Sequence, residues 1–137
     1  MEKWPADDYV CLMADFCCDC VWDREVVSGC VDELPLSQQL QDDILAWAEW
    51  YDRDCDDGMP DPRPFPRAEF AAQGLTLARR IKAELPAWTV VFVDNVSMFE
   101  PPYVSGRKPT EREITLEEAL GYADPAEQET DHGDGLE

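Results

Sequence analysis

The stretch PRAEFAAQGLTLARRIKAELPAWTVVFV, residues 66–93, changes its hydrophobic period part-way along, and that change sets the expected fold. Phe70, Leu77, Ile81 and Leu85 recur on one helical face, with Ala71, Gly74 and Ala78 beside them. Pro66 is placed to open this helix and Pro86 to end it. A glycine inside a helix costs about 1 kcal/mol against alanine, so Gly74 is expected to permit a close approach. After Pro86 the helical period stops. Trp88 to Val93 (WTVVFV) is a continuous apolar, β-branched run, the pattern of a strand buried on both faces.

Working outward from that junction, a second helical pattern lies upstream. Ser37 follows Pro35-Leu36 as a good N-cap, and Leu40, Ile44, Trp47 and Tyr51 then fall on one face. Asp42 and Asp43 sit near the N-terminal end, where the helix dipole favours negative charge. The spacing predicts a helix over 37–53, ending before the Gly58-Met59-Pro60 break, with 56–66 as a loop. Tyr9 to Trp22 (YVCLMADFCCDCVW) reads as one or two strands, irregular around its cysteines, and 23–35 as a connection. Downstream, 95–111 reads as loop or irregular hairpin. Thr115-Leu116-Glu117-Glu118 matches a capping box and predicts a short helix through Leu120. The expected architecture is a single two-layer α/β (α+β) domain over 1–123, two main helices packed on a small sheet. An acidic, flexible tail is expected over 124–137.

Charge is the dominant compositional fact. The 137 residues carry a formal charge of −20, unevenly spread. Residues 1–62 hold 17 acids against 3 bases, 63–110 hold 4 against 7, and 111–137 hold 10 against 1. Such a chain repels nucleic acid and anionic membranes and accelerates encounter with basic surfaces. No apolar run approaches the ~20 residues that cross a bilayer. Glu2, Asp7 and Asp8 stand where a signal peptide would be basic and then apolar, so the expected location is cytoplasmic. Free thiols are the corresponding default for Cys11, Cys17, Cys18, Cys20, Cys30 and Cys55. Cys17, Cys20, Cys30 and Cys55 could supply four thiolates, but the second pair is split by a long gap, unlike two compact zinc knuckles.

The residues that could carry chemistry point to binding. Asp52, Asp54 and Asp56 fit alternate positions of a calcium loop, but the glycine it needs at its sixth position is Asp57 and the glutamate at its twelfth is Arg63. The one histidine, His132, lies in the acidic tail, and no phosphate-cradling glycine loop is present. No catalytic residue, metal or cofactor is assigned. A better candidate is Trp50, roughly 80° from the centre of the first helix's apolar stripe, with Asp43 and Asp54 one or two turns away. An aromatic at the core margin flanked by carboxylates resembles an interface anchor with steering charges. The alternative is that Trp50 packs under the neighbouring loop. The expected partner-binding set is Asp43, Trp50 and Asp54, with Asp56 and Asp57 from the acidic loop.

Leu34-Pro35-Leu36-Ser37, Leu40, Leu45, Trp47-Ala48 and Tyr51-Asp52 are followed by Phe70, Gly74, Leu77-Ala78, Leu85 and the valine-rich strand. Together they resemble a pattern in small acidic bacterial proteins, some of them immunity proteins of polymorphic or contact-dependent toxin systems. The similarity covers roughly residues 20–94. It implies an inhibitor that neutralises a toxin. Taken with the charge, the expected partner is a basic protein, a toxin or a nucleic-acid-binding protein, with no direct contact to nucleic acid or membrane. The same charge would also suit a phage-encoded inhibitor of the anti-CRISPR or nucleic-acid-mimic kind, blocking a basic nucleic-acid channel.

Overall fold

The computed structural model describes residues 4–54, 65–96, 106 and 108–121. Within them the chain runs β1 (Tyr9–Met13), β2 (Val21–Trp22), a 3₁₀ turn (Val31–Glu33), α1 (Gln38–Asp54), α2 (Arg67–Glu84), β3 (Thr89–Asp94), β4 (Thr110–Glu113) and α3 (Leu116–Gly121). Four strands form one mixed sheet in the order β2-β1-β3-β4. The two central strands, β1 and β3, are parallel, with Val10 opposite Val90 and Leu12 opposite Phe92. β2 and β4 flank them antiparallel. Because side chains alternate along a strand, Val10, Leu12, Val90 and Phe92 share the face that joins the helices' core. Cys11 and Val91, at 7% and 6% exposure, are buried on the other face, as the continuous apolar run of β3 requires.

The sequence signals act through identifiable contacts. Ser37 Oγ accepts the Leu40 amide at 3.3 Å, the N-cap bond expected of it. Glu84, at the last turn of α2, accepts both the Ser37 amide (2.7 Å) and its hydroxyl (2.6 Å). One carboxylate thus ties the start of α1 to the end of α2. Leu40, Ile44 and Trp47 are buried as their period predicts, while Tyr51 is half-buried at the end of the stripe. Gly74 lies where α2 meets Trp47 and Phe92, with no room for a side chain. Pro86 follows the last helical turn, and the Trp88 amide bonds Leu85 O at 3.0 Å as the chain turns into β3.

Of the stretch 95–111, read as loop or irregular hairpin, most lies outside the described residues; at its end β4, from Thr110, pairs antiparallel with β3. Ile114, fully buried, closes the core beyond it, and its amide donates to Val90 O at 2.8 Å. Thr115 Oγ1 accepts the Glu118 amide at 3.0 Å and so caps α3. The tail 124–137 lies outside the described residues.

Glu118 accepts from Arg79 on α2 (2.8 Å) and from Arg112 on β4, joining three elements. Burial alone would raise its carboxyl, but the two guanidiniums together outweigh that and hold it below the usual value of 4.5. A depressed carboxylate contributes stability above its unfolded pKa and loses it as pH falls through the folded value. The stability advantage of the wild type over Glu118→Gln should therefore be full at neutral pH and shrink below about pH 4.5. Urea unfolding of both proteins across that range measures it. A difference that does not vary with pH would assign Glu118 a packing role alone.

Candidate functional site

α1 is the element around which the surface is organised. Its exposed side forms a ridge at Leu45 and Ala46, with a concavity on either flank.

The first flank is a groove of about 540 Å³ lined by Asp19, Asp42, Leu45, Glu49 and Asp52, with Cys17 and Cys18 at its loop edge. At about 100° per residue, Asp42, Leu45, Glu49 and Asp52 fall within an arc of about 80°, and about 15 Å separates the outer two along the axis. The loop that faces them, between β1 and β2, is held by the same acids. Asp52 Oδ1 accepts the Cys17 amide at 2.8 Å, and Asp19 Oδ2 accepts the Val31 amide at 2.8 Å. Cys17 and Cys20 bracket this turn in the left-handed region, with φ of 61° and 68°. Such a conformation costs a β-carbon-bearing residue about 1 kcal/mol or more, and these carboxylate–amide bonds offset it. Asp42 accepts from the side-chain amide of Gln38, at 2.9 Å. Among the described residues none of the four carboxylates forms an ion pair with a lysine or arginine. Leu45, 40% exposed, stands between them as an apolar contact.

The second flank, about 440 Å³, runs between α1 and α2 past Asp43, Trp47, Trp50, Leu77 and Arg80. Here the expected residues meet a different electrostatic environment. Asp43 and Trp50 do share this groove, but Asp43 is engaged by Arg80 Nη1 at 2.8 Å and by Gln39 Nε2 at 2.9 Å. Asp54 does not line it and pairs with Arg53. Trp50 is half-buried, its ring 5.5 Å from Phe65 and 5.2 Å from Phe70, so it packs on the core as well as bordering the groove. Asp56 and Asp57 lie outside the described residues.

The groove carboxylates that the expected partner-binding set left out, Asp19, Asp42, Glu49 and Asp52, form no direct ion pair among the described residues, unlike Asp43 and Asp54. Their signal was available in the i, i+3, i+7, i+10 spacing of Asp42, Leu45, Glu49 and Asp52, which marks the helix face opposite the apolar stripe.

The remaining chemistry is quiet. Burial, then Glu111, pushes the Cys11 thiol up to about 12, and burial raises Cys20 further still. A thiol so shifted stays protonated near neutrality and is not an activated nucleophile. Among the described residues no three potential ligands gather to hold a metal, and Cys55 of the considered zinc set lies outside them. A third concavity, on the sheet face away from the helices, sets Tyr9, Met13, Trp22 and Val93 among charges of both signs, Arg24 and Lys108 against Asp23 and Glu111. No described helix is long and apolar enough to cross a membrane.

No curated protein matches the chain. Over residues 8–95, from the residue before β1 to the one after β3, and so across both flanks of α1 and the cysteine turn, the sequence matches the Serratia CdiI immunity protein-like family, and the chain belongs to it.

Proposed function

We propose that this protein neutralises a toxin by binding it, and that the contact is made by the acidic groove of α1 against a basic cleft. The observation that carries the reading is the set Asp19, Asp42, Glu49 and Asp52, four carboxylates gathered on one groove, none of which forms a direct ion pair among the described residues, Arg53 acting on Glu49 only through space. Like charges held together cost energy in the free protein, and a cationic partner relieves that cost on docking. A basic cleft on a toxin that acts on nucleic acid offers such charges, because it must hold phosphates, and carboxylates can take the phosphates' place. Leu45 supplies the apolar contact that a purely ionic interface lacks.

Action by occupancy rather than by catalysis agrees with the same site. Its thiols are raised or merely border the groove, and its carboxylates are engaged with backbone amides or open to solvent. The other sheet face, where both signs of charge are mixed, gives a basic cleft no comparable attraction. The test is co-expression with candidate toxin domains drawn from the genes that flank this chain's own. Growth should be restored by the wild type, and the two purified proteins should elute together. Failure of the wild type to protect or to bind would overturn the reading.

A further inference from the structure

We propose that Cys18 and Cys20 form a redox-responsive thiol pair, in which Cys18 attacks a low-molecular-weight disulfide and Cys20 resolves the adduct, remodelling the rim of the acidic groove. Both thiols reach the same carbonyl, Asp15 O, at 3.7 Å from Cys18 and 3.6 Å from Cys20, and the Cys20 amide donates to the Cys18 sulfur at 3.3 Å. They are therefore already neighbours in the folded protein.

The geometry assigns the two roles. The Cys18 sulfur accepts the Cys20 backbone amide, a contact that favours a thiolate at Cys18. Cys20 is fully buried, and burial disfavours a thiolate there. Cys18 is half-buried and borders the groove, where a small disulfide can reach it. The Cys18 thiolate attacks one sulfur of oxidised glutathione, forming a mixed disulfide and releasing one glutathione thiolate. Cys20, as it loses its proton, attacks the Cys18 sulfur, forming the Cys18–Cys20 bond and releasing the second glutathione. The two protein thiols are oxidised by two electrons and the disulfide reagent is reduced to two thiols.

The reaction is slow at neutral pH for a stated reason. Burial raises the Cys18 thiol, and Asp15 and Asp19 on its own loop add to it. Asp42, Glu49 and Asp52 face it across the groove from α1. The pair stays reduced in a reducing compartment and responds to sustained oxidation. Closing a bond of about 2.05 Å draws the sulfurs inside non-bonded contact. The turn that must adjust carries the Cys17 amide bound to Asp52 and the Asp19 carboxylate bound to Val31. An effect on the partner rests on the groove being the docking site. The thiol chemistry does not.

The experiment treats the full chain with oxidised glutathione and maps the products by proteolysis and mass spectrometry. The wild type should lose two hydrogens within the segment containing Cys18 and Cys20 and keep no glutathione there. Cys20→Ser should instead retain one glutathione on Cys18. Cys18→Ser should modify Cys20 at least about tenfold more slowly, since it lacks the favoured attacking thiol. The wild-type rate should climb roughly tenfold per pH unit from 7 to 9, with the thiolate fraction. Circular dichroism checks that each serine variant is folded. Glutathione kept on wild-type Cys18, or a bond to Cys17 or Cys55 in its place, would overturn the pair. Amide exchange at Cys17 reads the remodelling: it should quicken on oxidation, and an unchanged rate would overturn that part. A toxin indifferent to charge reversal in the groove would remove the docking reading and leave these outcomes standing.

Discussion

Replacing Trp47 with alanine should lower the unfolding free energy by about 3–5 kcal/mol, the largest stability loss expected from one substitution on α1. Trp47 is 4% exposed and stacks on Phe70 with ring centroids 4.3 Å apart. Its indole N–H donates to Phe70 O at 3.0 Å, so truncation leaves a void and removes a buried hydrogen bond together. Gly74 gives the complementary test. By propensity alone Gly74→Ala should stabilise α2 by about 1 kcal/mol. A β-carbon there would stand 2.5 Å from Trp47 Cζ2 and 2.8 Å from Phe92 Cε1, so overpacking decides the sign. The expected outcome is a net loss of about 1–3 kcal/mol. Trp47→Phe should reduce that penalty, because the clashing atom belongs to the indole's six-membered ring. Denaturant unfolding of the four proteins forms a double-mutant cycle. A Gly74→Ala protein as stable as the wild type, or a penalty untouched by Trp47→Phe, would refute this account of the helix–sheet contact.

That contact also shows why so much of the fold was legible in the sequence. The apolar stripes of α1 and α2, the Ser37 cap and the valine run of β3 are local patterns, and each was answered by burial or a hydrogen bond nearby. β1 and β2 were readable as one or two strands over Tyr9 to Trp22, but not in their bounds. Their shortness and the turn between them depend on Asp19 and Asp52 reaching amides 12 and 35 residues away in the chain. β4 could not be read as a strand at all, because Thr110-Glu111-Arg112-Glu113 is exposed at every position. Its place is set by pairing with β3 and by Ile114 behind it. The same limit governed the site. Charge density pointed to α1, but which carboxylates are matched depends on Arg80, which α2 brings to Asp43 from 37 residues away.

The double reversal Asp42→Lys with Glu49→Lys should slow association with a basic toxin by on the order of 10- to 100-fold at low salt. Both side chains are exposed and neither forms a direct ion pair among the described residues. Asp42 takes one surface bond from Gln38 and Glu49 feels Arg53 through space, so the change acts mainly on the charge of the groove. Long-range attraction governs encounter, whereas dissociation depends on contacts already made. The on-rate should therefore fall much more than the off-rate rises. The deficit should also narrow as salt rises, since exposed charges are screened beyond about 10 Å at 0.1 M. Asp43→Asn and Asp54→Asn provide the contrast. Their charges are already balanced by Arg80 and Arg53, so each should alter the on-rate by less than about threefold. Trp50→Ala separates the two flanks further. As a core contact of Phe65 and Phe70 it should cost stability, and as an anchor it should in addition quicken dissociation by about 2 kcal/mol. Stopped-flow association across a salt series, on variants first shown to be folded, reads all of these. An on-rate that ignores the double reversal but drops with Asp43→Asn would move the docking surface to the Trp50 flank, because only there would the matched charge be the one the partner feels.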